Sequence, residues 1–222
     1  MDVNDFVEIK TIHLVFAGDF NPSIIQPFWL ANKGLIRDSE AQDAKVEIIH
    51  NEFVRFSFDW VTIEVRQDRF DIQSSQEPYF SIVKDLCIGI FNSLKETPIK
   101  GLGINHIWHC NLRNSESYFE FGNKLAPLIN FDFLNNARMI HLDIIEQKRS
   151  DNKPGSYRIR IEPTDKASTN FGVAININDH FGLDVNNTGR GGEMLKILKE
   201  NFDSSLERCK DVVTKLLKNL EM

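Results

Sequence analysis

The sequence predicts an α+β fold: one antiparallel sheet built from two similar strand–helix–strands–helix units, with the long helices packed on one face. Three observations predict it. Short runs that alternate apolar and polar residues recur along the chain, the period-two mark of half-buried strands. Two longer stretches, residues 78–95 and 192–220, repeat apolar residues at helical spacing. Short phrases also recur in the same order: Ile9-Lys10 and Ile99-Lys100 are 90 residues apart, and Asn32-Lys33 and Asn123-Lys124 are 91 apart. The expected units are residues 1–97 and 98–222, joined in one compact domain.

Residues 7–16 place Val7, Ile9, Thr11, His13 and Val15 on one side and Ile12, Leu14 and Phe16 on the other. Both sides carry apolar residues, which predicts a central strand covered on two faces. Gly18-Asp19-Phe20-Asn21-Pro22 breaks it. A helix follows from Pro27 to Lys33, with Pro27 suited to its first turn and Gly34 to its C-terminal cap. Two or three strands fill residues 46–72. Apolar parity flips between Val65 and Phe70, which requires a bulge or turn at Gln67-Asp68. The helix ending near Lys95 carries Ile82, Val83, Leu86, Cys87, Ile90, Phe91 and Leu94 as its stripe.

The second unit opens with a strand that aligns Leu102, Ile104, His106, Trp108, Cys110 and Leu112 on one face. A helix over 117–125 and three antiparallel strands over 139–146, 157–162 and 171–178 follow. Lys153-Pro154-Gly155 and residues 165–170 supply the turns. The last helix would be roughly 40 Å long at ~1.5 Å per residue. That length predicts that part of it packs on another chain.

Composition narrows the function classes. The chain has 222 residues, 41% of them apolar and 26% charged, enough to bury a sizeable core. Seventeen phenylalanines predict aromatic packing between sheet and helices. A net charge of −6 argues against a dedicated duplex-DNA binder. Cys87, Cys110 and Cys209 are odd in number and widely spaced, which predicts reduced thiols rather than a disulfide framework. Met1–Asp5 lacks the order of a signal peptide, and no apolar run approaches the ~20 residues of a membrane span. These features predict a cytoplasmic protein.

Candidate chemistry is sparse. Asn105-His106-Ile107-Trp108-His109-Cys110 invites a metal reading. On a strand, however, His106 and Cys110 lie about 13 Å apart on one face, while His109 points to the other. His106 therefore reads as a hydrogen-bonded core histidine, and neither metal nor cofactor is expected. Asp19 stands at a strand end, where turn chemistry explains it. Arg158 and Arg160 share a strand face, with Lys148-Arg149 in the preceding loop. Arg190, in Gly189-Arg190-Gly191-Gly192, precedes the last helix, where exposed amides can hold an anion. Arg158, Arg160 and Arg190 are the candidate contacts for a partner or nucleic acid. Catalytic signatures such as a nucleophile elbow or His-Glu-x-x-His are missing from the sequence.

The order of elements is similar to the duplicated saddle of the TATA-binding-protein type of fold, a likeness of topology that carries no function. Gln67-Asp68-Arg69-Phe70, Tyr79-Phe80 and Gly103-Ile104-Asn105-His106-Ile107 resemble a sporadically distributed, uncharacterised bacterial protein family over about the first 110 residues. The resemblance implies a bacterial setting, and patchy distribution is associated with defence and mobile-element gene clusters. The sequence thus predicts a non-catalytic protein-binding or assembly module, self-associating or binding a protein partner through its sheet and C-terminal helix. The alternatives are a nucleic-acid-binding module on the Arg158/Arg160 strip and an enzyme with a site near His106, His109 or Asp19.

Overall fold

The structure is a computed structural model and describes residues 3–135, 137–182 and 191–218. Nine strands run β1 Val7–Gly18, β2 Lys45–Ile49, β3 Phe53–Phe58, β4 Val61–Arg66, β5 Arg69–Ser74, β6 Ile99–Asn111, β7 Leu142–Glu146, β8 Gly155–Pro163 and β9 Gly172–Gly182. Among the described residues they form a single sheet in the order β2-β3-β4-β5-β1-β6-β9-β8-β7, every neighbour antiparallel. The helices are α1 Pro27–Asn32, α2 Asp38–Gln42, α3 Phe80–Ser93, α4 Ser115–Leu125 and α5 Gly191–Lys218. Strands from both predicted units thus share one sheet, with β1 and β6 at its centre. No described helix is long and apolar enough to cross a membrane.

Local sequence explains the elements. Gly34 follows α1 with φ +67°, the left-handed conformation that suits glycine, and its N–H donates to the Ala31 carbonyl at 2.8 Å. The parity flip at Gln67-Asp68 is a hairpin turn rather than a bulge. Val65 pairs with Phe70 across it, so an odd position in β4 and an even one in β5 share a face. Asn114 caps α4 by accepting the Ser117 N–H at 2.9 Å.

One face of the sheet holds the core. Ile12, Leu14 and Phe16 of β1, Phe70 and Ile72 of β5, and Leu102 and Ile104 of β6 are fully buried there. Val83, Cys87, Ile90 and Phe91 of α3 pack onto them. Phe91 sits between Phe16 and Phe70, with ring centroids 4.8 and 5.1 Å away, and Phe20 closes the cluster at 5.9 Å. The opposite face differs from expectation. Its β1 residues His13 and Val15 are only half-buried and Ala17 is exposed. Their neighbours are polar, Gln73 beside His13 on one side and Asn105 on the other, so nothing apolar draws a second layer over them. The strand is central and covered on one face.

Helix α5 packs on the sheet across both halves. Met194, Leu195, Leu198 and Phe202 join the core of the first half of the sheet, while Cys209, Val213 and Leu217 join that of the second. Its 28 residues span about 42 Å at ~1.5 Å each, close to the width of nine strands at ~4.8 Å spacing. The length therefore serves to bridge two core clusters, and Leu195, Leu198, Phe202, Cys209, Val213 and Leu217 of its apolar stripe are buried within the chain.

Because Phe70 is fully buried among three other phenylalanine rings, Phe70→Ala should destabilise the fold by about 3–5 kcal/mol, read as a lower urea midpoint.

Candidate functional site

The His106–Cys110 run divides between the two faces. His106 is fully buried under α5, where its Nε2 hydrogen-bonds Ser205 Oγ at 3.0 Å. Burial lowers its pKa from 6.5 to about 4. His109 lies on the open face and hydrogen-bonds Thr164 Oγ1 through Nδ1 at 2.9 Å. Its pKa is also lowered, first by burial and then by the nearby charge of Lys166. Cys110 is buried, and desolvation pushes its thiol up to about 12. Among the described residues no group of three or more His, Cys, Asp or Glu side chains is placed to hold a metal ion. The core-histidine reading of His106 holds.

The arginines are drawn apart as well. Arg158 and Arg160 do share the open face, but both donate to Asp143 on the neighbouring strand, Arg160 at 2.9 Å. These hydrogen bonds, from Arg158 first and Arg160 second, hold the Asp143 carboxyl well below the usual carboxylate range. Arg149 does not extend the strip. Its side chain is 1% exposed, donating to Asp179 and to Asp151 and stacking 4.1 Å over Phe181. Arg190 lies outside the described residues. Asp19 is exposed and ion-pairs with Lys100 at 3.1 Å, while Asn21 Oδ1 accepts the Ser23 N–H, a local turn of the kind expected there.

The open face contains a constellation that the sequence did not single out. His13 Nε2 hydrogen-bonds Asp71 Oδ1 at 2.7 Å, and Arg69 donates to both oxygens of the same carboxylate. Burial would raise the Asp71 pKa, yet the bonds from His13 and Arg69 outweigh it and leave the carboxyl below its ordinary 3.8. Two shallow hollows of about 240 and 290 Å³ meet at this group. Gly101, Gly103 and Ala17 floor the first and Asn105, Asn178 and His180 wall it; Arg55, Glu64 and Arg66 line the second. Residues 13, 69 and 71 come together only through the β1–β5 register, which no local pattern announces.

The charges of this face are already paired. Arg55 bridges Glu47 and Glu64, Arg66 bonds Glu64 at 2.6 Å, and Arg69 holds Asp71. The amides pair too: Asn178 donates to Asn105, and Asn105 donates to the His13 carbonyl. Asp71 orients the imidazole as a catalytic base is oriented. Among the described residues, however, His13 bonds no hydroxyl or thiol that would complete a nucleophilic site.

The sheet's two edges are less satisfied. Every residue of β2 is exposed, including Val46, Ile48 and Ile49. On β7, Ile144 and Ile145 are half-exposed, and the segment leading into it exposes Phe131, Phe133, Leu134 and Ile140.

The fold and site define the class as an α+β protein whose antiparallel sheet, among the described residues, is covered on one face and has a polar open face and two edge strands. No protein-family model matches the chain, and no curated protein matches it.

Two outcomes follow from these groups. The unfolded chain protonates its histidine near 6.5 while His106 in the fold resists until about 4. Stability is thus fully present above pH 6.5 and is lost as pH falls from 6.5 towards 4. His106→Gln, which keeps a donor for Ser205, should flatten that slope in urea midpoints measured across this range. Asp179 is fully buried and holds Arg149, so Asp179→Ala should cost about 1–3 kcal/mol by removing one of the two carboxylates that hold the guanidinium, seen as a lowered unfolding midpoint.

Proposed function

We propose that the chain is a non-catalytic protein-binding or assembly module. The observation that carries this reading is the placement of exposed apolar side chains. Phe131, Phe133, Leu134, Ile140, Ile144 and Ile145 are each at least 45% exposed and follow one another along the chain into the β7 edge. Exposed apolar side chains concentrated in one stretch of chain are what association removes from water. The partner is a protein, either another copy or a different chain. The bacterial and defence-linked setting rests on the resemblance of the first 110 residues, and the cytoplasmic one on the cysteine pattern and the lack of a long apolar run.

The reading includes an internally duplicated scaffold. In its support, Leu14 faces Ile104 across the β1–β6 ladder, and these two are separated by the same 90 positions as Ile9 and Ile99. An even offset keeps equivalent residues on the same face, and each half returns three or more strands after its helices to flank the centre. The nucleic-acid alternative is weakened because Arg158 and Arg160 already share Asp143. The enzyme alternative is weakened because His106 and His109 face opposite sides of the sheet.

Light scattering should give a mass above the 25.6 kDa monomer, or affinity capture should retain one protein in stoichiometric amount. The triple variant Phe131→Ser, Phe133→Ser, Leu134→Ser should abolish that association with an unchanged unfolding midpoint. A monomer that captures nothing would overturn the reading. In gel shift at low salt the protein should not retard DNA or RNA, whereas retardation that weakens steeply with salt would favour the nucleic-acid alternative.

A further inference from the structure

We propose that the β7 edge pairs with β7 of a second copy of this chain, antiparallel, across a two-fold axis normal to the sheet. This rests on the protein-binding reading above and names its partner.

Among the described residues strand β7 is bonded on one side only, to β8, which leaves its other row of backbone N–H and C=O groups at the sheet edge. Natural edges of this kind are usually blunted by bulges, proline or charge. The β2 edge is blunted: its register slips between Val46 and Ile48. Strand β7 pairs with β8 in unbroken register from Leu142 to Glu146, contains no proline, and carries Ile144 and Ile145 at its middle.

Symmetry selects the pairing. Nine antiparallel strands leave β2 and β7 running in the same direction, so β7 meeting β2 of another copy in a continued sheet would form a parallel pair. It would also be head-to-tail, a contact that need not close. A two-fold axis joining β7 to β7 gives an antiparallel pair and a closed dimer. Such an axis pairs residues on the same face, which restricts it to pass through a residue rather than between two. Centred on Asp143, it would leave Ile145 and Glu146 beyond the end of the partner strand. Centred on Ile145, it would leave Leu142 and Asp143 beyond the end of the partner strand. Centred on Ile144, it pairs all five residues: Ile144 with Ile144, Asp143 with Ile145, and Leu142 with Glu146. The Asp143 charge stays neutralised by Arg158 and Arg160 of its own copy. By contrast, the register slip between Val46 and Ile48 breaks the alternation of β2 at its middle, so β2 offers no continuous five-residue ladder to a second copy.

A five-residue edge alone falls short of the ~800 Å² per partner that stable interfaces bury. The exposed Phe131, Phe133, Leu134 and Ile140 on the chain entering the strand supply further apolar surface beside it. The interface is thus a short hydrogen-bonded ladder with apolar flanks.

The test uses the full chain. Ile144→Cys is a conservative change at an exposed site, and the native Cys87, Cys110 and Cys209 are buried. A short bis-maleimide should link Ile144→Cys into a covalent dimer, whereas Val46→Cys on the β2 edge should stay unlinked. Light scattering should report twice the 25.6 kDa chain mass for the wild type. Ile144→Lys would set two lysines opposite each other and should weaken the dimer by about ten-fold or more. A wild-type monomer at the highest attainable concentration, or a dimer in which Ile144→Cys does not link, would overturn the proposal. A monomer that still captures a different protein would end self-pairing while leaving the protein-binding reading intact. A monomer that captures nothing would end both.

Discussion

The antiparallel ladder between β1 and β6 is the interaction on which the rest of the structure depends. It joins the strand that begins each half of the chain, in register from Ile9–His109 to Ala17–Gly101. That register decides which residues face the helices. Ile12 is set beside His106, and Leu14 beside Ile104, so the even positions of both strands form one buried surface. The same parity sends His13, Asn105 and His109 to the other side. A slip of one residue would exchange the core for the polar face. Phe16, Phe70 and Phe91 could then no longer meet.

Helix α5 and the Arg149 network complete what the ladder begins. The helix crosses both core clusters and brings Ser205 to His106 and Arg208 towards Asp151 and Asp179. Arg149 comes from the turn between β7 and β8 and reaches the buried Asp179 of β9. Gly155, which opens β8 with φ +132°, lets that turn lie against the His180 backbone, where a Cβ would meet the carbonyl oxygen at 2.0 Å. A buried ion pair contributes little net stability because desolvation offsets the attraction. Its consequence is positional: it fixes the turn between β7 and β8, and with it the start of the β7–β8 ladder, against the middle of α5.

Much of this architecture was legible in the sequence, because its signals are local. Alternation marked β3, β4 and the buried side of β6, and helical spacing marked α3 and α5. Gly34 marked the end of α1. The faults arose where neighbours decide the outcome. The odd face of β1 contains enough apolar residues to look buried, but its exposure depends on Gln73 and Asn105 from adjacent strands. Arg149 looked like surface charge because its partner Asp179 lies 30 residues away. The same distance hid the group of His13, Arg69 and Asp71, which only strand pairing assembles. The Arg158/Arg160 pair was visible as an i, i+2 pattern. Asp143, which balances both, belongs to a different strand.

The two outward surfaces therefore differ in what they gain from a partner. On the open face the arginines already hold carboxylates and the asparagines bond one another, so a ligand must replace bonds that exist. The β7 edge offers unpaired backbone groups and apolar side chains that water solvates poorly. Withdrawing each such side chain is worth on the order of 1 kcal/mol, while association costs about 4–15 kcal/mol in lost freedom. Six side chains from each of two copies fall inside that range without clearing it. The hydrogen bonds of a matched strand are needed to tip the balance, and they form only when the partner presents an extended edge in register. The requirement selects for a specific strand rather than for any apolar surface, and β7 itself meets it.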